Sequence, residues 1–449
     1  MKPFRLKSNK NEQMKNIITI LLIIVALPLE LIYSQEVKSI SKQEVIDKVN
    51  ANNSAIKISE QDYNQARADY RQTNAVLLPN ISISHTGIST TNPLMAFGSK
   101  LNQEILTAID FDPNLLNDPG TIKNFATKIE FQQPLINVDG MYQRKAAKTK
   151  MQAVQLQTVR TKDYLVFEVE KAYMQLQLAY KAVDVLEKAL TAALANKTLA
   201  GNSFKQGYLQ KADVLAVDVR VTEVQNQLQN SKSNVLNASN YLSFLMNESD
   251  EATLQPSDSL AITIGTLDNA KVISEQRADI QAMQLASNAY KDMNKADKMA
   301  FLPRLNAFGS YELYDNKIFQ ADANGYLVGA QLSWNIFEGS KRFGKAQKSK
   351  AEYEKSKLEY TQYVSKSKLE FNKSKRKLQD AQNKLKLTKL ALDQSEESLR
   401  IRTNRFKQGL EKTSDLLITE TQFAQKQLEY YQTIFEYNYA QAYLNFLTK

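Results

Sequence analysis

What most limits this chain is the placement of its helix breakers. Neither glycine nor proline occurs in residues 345–408, and glycine is also missing from 141–200 and 410–449. Proline is absent from 135–255 and 304–449. The 449 residues include 13 glycines and 9 prolines, under half of average usage at roughly 7% and 5%. These two residues are the main interrupters of helices, so such intervals permit very long ones. As one helix, residues 345–408 would span roughly 96 Å at 1.5 Å per residue. No compact globular core is that long, so a chain with length for two or three ordinary domains is not using it that way.

The N-terminus reads as a targeting signal. Lys2, Arg5, Lys7, Lys10 and Lys15 precede the apolar run IITILLIIVALPLELI and then YSQEV. A basic stretch, a short apolar stretch and a small residue before a polar start predict a secretory signal peptide over residues 1–34, cleaved near Ser34. A start at Met14 would give a more usual leader. A membrane anchor is the alternative, opposed by Pro28 and Glu30, which interrupt the run. There is no cysteine, which removes disulfides, thiolate metal sites and lipid attachment through an N-terminal cysteine together. The net charge of +10 is mild for this size, and five of the basic residues fall in the leader. It does not by itself imply nucleic acid.

The rest of the chain reads as one plan used twice, with repeats at 35–270 and 271–449. Each opens with a helical, alanine-containing stretch that ends at Leu-Pro (Leu78-Pro79 and Leu302-Pro303). Ser41 and Glu44 supply a capping box for the first helix. After each proline the periodicity changes from helix to strand, over about 80–133 and 303–335. NISISHTGI places Ile81 and Ile83 on one face, and ATKIEFQ adds Ile129 and Phe131. In the second repeat Leu305, Ala307, Tyr311 and Leu313 share a face, as do Tyr326, Val328, Ala330, Leu332 and Trp334. Segments of this length suit strands that cross a bilayer at a tilt. Tyr311, Tyr314, Tyr326 and Trp334 suit a membrane-interface girdle. A small soluble β-hairpin in each half is left open by periodicity alone. Turn residues mark 90–123 as a long exposed loop.

Each repeat then returns to helix through QPLINVDG or WNIFEGS. A seven-residue apolar pattern runs through Leu378, Ala381, Leu385, Thr388, Leu392, Ser395, Leu399, Arg402 and Phe406. It continues through Leu417, Thr421, Ala424, Leu428, Tyr431 and Phe435. Val214, Val217, Val221, Val224, Leu228, Ser231, Val235, Ala238 and Leu242 make the same stripe in the first repeat. Such stripes predict supercoiled helices packed as knobs into holes. Between the helices stand SFKQGYLQKADVL and RFKQGLEKTSDLL, one per repeat. Gly207 and Gly409 suit the left-handed turn that ends a helix. Asp213 and Asp415 suit the positive end of the returning helix. The phrase is therefore a hairpin tip, near 204–213 and 406–415.

In this order, the Asn-Asn-Ser opening (52–54), RADI (277–280), both Leu-Pro pairs, QPLINVDG, WNIFEG and the two Phe-x-x-Gly tips resemble the TolC-like outer-membrane efflux and secretion channels over nearly the whole mature chain. The resemblance implies a fold that is mainly α with a small β part. Long antiparallel coiled-coil helices would form an α-barrel, and four strands per chain would join a trimeric twelve-stranded transmembrane barrel. It implies a passive exit duct in the outer membrane of a Gram-negative-type bacterium, reaching into the periplasm. Its partners would be two sister copies, a periplasmic adaptor, an inner-membrane transporter of an efflux or type I secretion system, and outer-membrane lipid. Carried over by position, Asp415 falls on an acidic constriction ring and Asp213 is its equivalent. Phe204 and Phe406 flank the aperture, and Gly207-Tyr208 and Gly409-Leu410 would dock the adaptor. Phe406, Glu411 and Ile418 depart from the family's gate residues, a tyrosine, an arginine and a second aspartate. The resemblance therefore implies closure by packing rather than by that hydrogen-bonded latch. Gln206 and Gln408 replace the usual apolar residue before each tip glycine.

No catalytic or cofactor chemistry is legible. His85 is the only histidine, so no His-based metal site or triad is available, and no phosphate-binding glycine loop occurs. The lysines of 341–389 read as the solvated outer face of a coil, with a charged tunnel lining as the alternative. A periplasmic coiled-coil adaptor is the rival function. It predicts one hairpin flanked by a glycine- and valine-rich lipoyl-like module, whereas this chain has two hairpins and no such module. A cytosolic nucleic-acid-binding coil is opposed by the leader. A filament or adhesin subunit would need neither the strand pairs nor a pore. The cargo and the type of pump are not written in the sequence.

Overall fold

The computed structural model describes residues 37–249, 252–263 and 273–449, so the leader lies outside the described residues. The elements in chain order are β1 (Val37–Ile40), α1 (Lys42–Asn52), α2 (Ser54–Gln72), β2 (Asn80–Thr90), α3 (Pro93–Asn102), α4 (Pro113–Asn117), β3 (Ile122–Ile136), α5 (Val138–Lys205) and α6 (Lys211–Met246). They continue with β4 (Thr253–Pro256), α7 (Ala278–Met299), β5 (Arg304–Asp315), β6 (Ala323–Ser333), α8 (Lys341–Lys407) and α9 (Thr413–Thr448). Short 3₁₀ turns occupy Thr73–Val76 and Ala108–Phe111.

The breaker-poor intervals become two rods. Helix α5 has 68 residues and α8 has 67, each about 100 Å long at the helical rise. Helices α2 and α6 lie end to end along α5, and α7 and α9 bridge α5 and α8. Around the distal half the order is α6–α5–α9–α8, an arc whose two ends have no partner within the chain. Val217, Val221, Val224, Leu228, Ser231, Val235 and Leu242 are all buried in the first hairpin, and Leu378, Ala381 and Thr388 in the second. The knobs are small, so the backbones pack closely.

Both repeats are clasped at mid-length by the same device. The Asn53 amide caps α2 and donates to the Leu245 carbonyl at 2.7 Å. Arg277, at the matching position before α7, donates to the Leu447 carbonyl at 3.0 Å. Each ties the start of one helix to the open last turn of another, whose carbonyls have no partner within that helix. In the first repeat the clasp borders the main core, where Val45, Val49, Ile56, Val169, Tyr173, Leu176, Leu242 and Met246 are buried together. Among the described residues the second core is smaller, with Ile273, Ile280 and Phe371 buried together and Tyr360, Val364 and Leu444 packed against them. The parallel pair β1–β4 beside the first core was not foreseen, because four residues are too few to show a period. The capping box is only half made. Ser41 accepts from the Glu44 amide at 3.2 Å, but the Glu44 carboxylate pairs with Lys48 at 3.3 Å.

The other sheet has the order β2-β3-β5-β6, antiparallel throughout. Its strands are 11, 15, 12 and 11 residues long, enough to cross a bilayer at a tilt. A bulge where Pro134 and Ile136 meet β5 ends the regular register. The loop at 90–123 differs from the expected open turn. It contains α3, α4 and a 3₁₀ turn, each started by a side-chain cap: Asn92 to the Met95 amide at 3.2 Å, Asp112 to the Asn114 amide at 2.8 Å, and Asp110 to the Thr107 amide at 2.7 Å.

Candidate functional site: the hairpin tips and the membrane sheet

The two tips share a backbone and differ in chemistry. Gly207 has φ +78° and Gly409 φ +73°. In each, the glycine amide and the one after it donate back into the last turn, Tyr208 to Ser203 and Leu410 to Arg405, both at 2.9 Å. This is the six-to-one closure that requires a left-handed residue, and glycine meets it without a Cβ penalty. The reversal leaves Tyr208 and Leu410 at the apex, 79% and 62% exposed.

In the first tip Asp213 is spent on structure. Its carboxylate accepts from the Gln210 amide at 3.1 Å and caps α6. Phe204 is half exposed, with the Lys211 ammonium 5.8 Å from its ring centre. In the second tip Asp415 makes no such cap. It lies 3.7 Å from the Arg402 guanidinium and stays 42% exposed. Glu411 is gripped instead, by Arg402 at 2.8 Å and Arg405 at 2.9 Å, which straps the end of α8 to the start of α9 beside the half-buried Phe406. Of the departures at Phe406, Glu411 and Ile418, the one at Glu411 thus makes a clamp within its own tip. An acid at 411 has drawn two cations from the facing helix into a clamp. The signal was present: Arg402 is the one charged residue in an otherwise apolar or small heptad stripe.

At the opposite end, the register sorts every strand residue by face. Ile81 pairs with Phe131 and Ile83 with Ile129, Ile129 with Tyr311, and Tyr311 with Tyr326. Leu305, Val328 and Leu332 share this apolar face. The other face carries Ser82, Ser84, Lys128, Glu130, Ser310, Glu312, Asn306 and Gln331, with Lys128 bridging Glu130 at 2.7 Å and Glu312 at 3.3 Å. An apolar outside and a polar inside is the alternation of a transmembrane barrel wall. Tyr314 does not join the girdle. It stands on the polar face with its hydroxyl on Glu312, one residue out of phase with Tyr311. Trp334 lies just past β6, its indole N–H donating to the Phe301 carbonyl at 3.0 Å. Among the described residues no helix is long and apolar enough to cross a membrane.

The clasp around Arg277 is the most polar buried cluster on the rods. Arg277 grips Asp279 through two nitrogens at 2.7 and 2.8 Å, Tyr363 donates to the same carboxylate at 2.6 Å, and Arg160 lies 3.4 Å away. Arg160 also donates to the Phe446 carbonyl at 3.1 Å. Burial pushes the Asp279 carboxyl up, but Arg277, Tyr363 and Arg160 together outweigh it and hold it below its ordinary value. Two cations at the carbonyl end of α9 also suit its dipole. The cluster borders an open cavity of about 570 Å³, and the charges it turns toward it are already paired with one another.

A sequence profile of the family described as outer membrane efflux protein matches residues 45–248 and 270–448, both repeats. The chain belongs to the outer membrane efflux protein family. Among curated protein sequences no relative matches. Solved structures share the fold: the Campylobacter jejuni CmeC outer membrane channel (TM-score 0.80, 15% identity, 91% of this chain and 85% of that one) and the Vibrio cholerae outer membrane protein VceC (0.78, 16%, 91% and 96%). The open state of the Neisseria gonorrhoeae MtrE channel is also similar (0.76, 14%, 91% and 88%). This outer membrane efflux protein is a passive exit duct in the outer membrane that reaches into the periplasm, and not an enzyme. The adaptor alternative is not favoured, since the profile spans both repeats. Channels of this family are trimers that work with periplasmic adaptors and inner-membrane pumps.

Proposed function

We propose that this protein closes as a homotrimer, in contact with outer-membrane lipid through the apolar face of its sheet. Its helical tips would meet a periplasmic adaptor that links the duct to an energised inner-membrane transporter. The observation that carries the proposal is the pair of bare edges. Strands β2 and β6 each lack a neighbour on one side, and unpaired backbone groups inside a bilayer cost several kcal/mol each. The helical arc is open in the same way. Along α8, Leu358, Leu369, Leu387, Leu390 and Ile401 are exposed on the face opposite the buried stripe, at near-whole numbers of turns. On α6, at the other end of the arc, Leu215 and Val219 are exposed. Three copies joined edge to edge satisfy both deficits at once, with twelve strands above and a ring of rods below.

Asp415, exposed and capping nothing, is the residue placed to line the distal aperture, with Phe406 beside it. Asp213 belongs to its helix cap. Tyr208 and Leu410 at the apices, set by Gly207 and Gly409, offer the adaptor its contact. Tyr311, Tyr326 and Trp334 would meet the lipid interface. Light scattering of the detergent-purified protein tests the assembly, the protein mass being expected close to three times that of one mature chain. A monomer would sink the reading.

A further inference from the structure

The loop between β2 and β3 folds toward the inside of the sheet. Gln103, at the end of α3, donates to the Asn124 side chain at 2.8 Å and to the Lys123 carbonyl at 2.9 Å. By register Asn124 lies on the polar face, as does Ala323 at the start of β6, and both are buried. Ala96, Ser99 and Gln103 form the buried side of α3, and the small Ala96 and Ser99 let it approach the strand ends. The shorter β5–β6 turn goes the other way. Phe319 stacks 4.5 Å from the His85 ring on the apolar face.

Opposite its buried side, α3 presents Leu94, Gly98 and Leu101, with Leu94 81% and Leu101 55% exposed. A polar lumen makes an apolar stripe there costly unless something covers it. The loop is braced as one body. Lys100 pairs with Asp110 at 2.7 Å, and Phe97 meets Phe111 edge-on at 5.6 Å. Twelve strands about 4.8 Å apart, tilted by about 40°, close on a radius of about 12 Å. A helix is about 10 Å thick, so one carried on the inner rim by each of three walls spans most of that radius.

We propose that the Leu94–Gly98–Leu101 stripes of three copies meet at the barrel axis and close the exit, forming an apolar extracellular gate separate from the helical tip. The occupant of each stripe is the same stripe of the sister chains. A dry constriction of this kind blocks ions by dewetting, and it opens when the braced loops swing outward as bodies. The inference rests on the trimeric reading above.

The absence of cysteine makes the test direct. In purified trimers, Leu101→Cys oxidised with copper–phenanthroline should give covalent dimers on a non-reducing gel, two of three thiols pairing, whereas Ile83→Cys on the membrane face should not. The double variant Leu94→Ser/Leu101→Ser should raise single-channel conductance roughly twofold or more. Trimers of correct mass with no dimer band and unchanged conductance would overturn the gate alone. A monomer in detergent would overturn the assembly and the gate with it. Quenching of a fluorophore at position 101 by brominated lipid in proteoliposomes would place the stripe in the membrane and also overturn the gate.

Discussion

Two aspartates that look equivalent in sequence do different work. Asp213 is committed to the first turn of α6 through the Gln210 amide, whereas Asp415 has the Ser414 hydroxyl at 3.4 Å and Arg402 at 3.7 Å, the latter shared with Glu411. Three Asp415 carboxylates lining the aperture, as proposed above, would attract multivalent cations, and Arg402 would partly neutralise them. Asp415→Asn should therefore weaken the block of pore current by multivalent cations in planar bilayers, and Arg402→Ala should strengthen it. Unchanged block in both variants would remove this position from the constriction. Both aspartates were visible in the sequence at the same distance after the tip glycine. Their divergence was not, because it depends on which donor faces each carboxylate.

Among the elements, the clasps decide whether the long rods stay in register. Removing Arg277 leaves the Leu447 carbonyl without its donor and the Asp279 carboxylate with only Tyr363 and Arg160. Breaking a buried pair from one side costs at most about 3–5 kcal/mol, while Asn53→Ala loses two neutral hydrogen bonds at about 1 kcal/mol each. Arg277→Ala should therefore lower the midpoint of heat dissociation on semi-native gels more than Asn53→Ala. Equal shifts would mean that Asp279 finds another partner. The Asp279 carboxyl is held below its unfolded value, so its contribution is complete above about pH 4 and falls as the pH drops through the depressed folded value. The 90–123 loop has the same sign. The Lys100 ammonium first, then the Thr107 amide and hydroxyl, hold Asp110 down at about 2, so the brace persists until the pH falls to that value.

Over the whole molecule, stability and assembly are the same problem. A four-stranded sheet and an open arc of helices leave apolar and hydrogen-bonding edges that only sister chains can cover. Leu387, 68% exposed in the single chain, lies on the edge face of α8. Leu387→Glu would place a charge at each of three subunit contacts, where desolvation costs several kcal/mol per ion. It should shift the detergent-purified protein from trimer toward monomer, with helical circular dichroism retained. A trimer of unchanged heat resistance would show that this face meets water instead.

The chain's spacing of glycine and proline, its repeated tip and its period changes determined two long helical hairpins and two strand pairs, because these are local consequences of backbone preference and side-chain alternation. They also determined which strand residues share the apolar face, since the pleat has period two. Only the tertiary structure decided that the Tyr314 hydroxyl meets Glu312, that Glu411 is clamped by two arginines, that Asn53 and Arg277 serve one purpose, and that the 90–123 loop folds onto the polar face of the sheet. Asn53 and Arg277 bond carbonyls 192 and 170 residues away, while Tyr314 and Glu411 bond neighbours 2 to 9 residues away; in both cases packing decides which donor faces which acceptor, and backbone preference does not encode it.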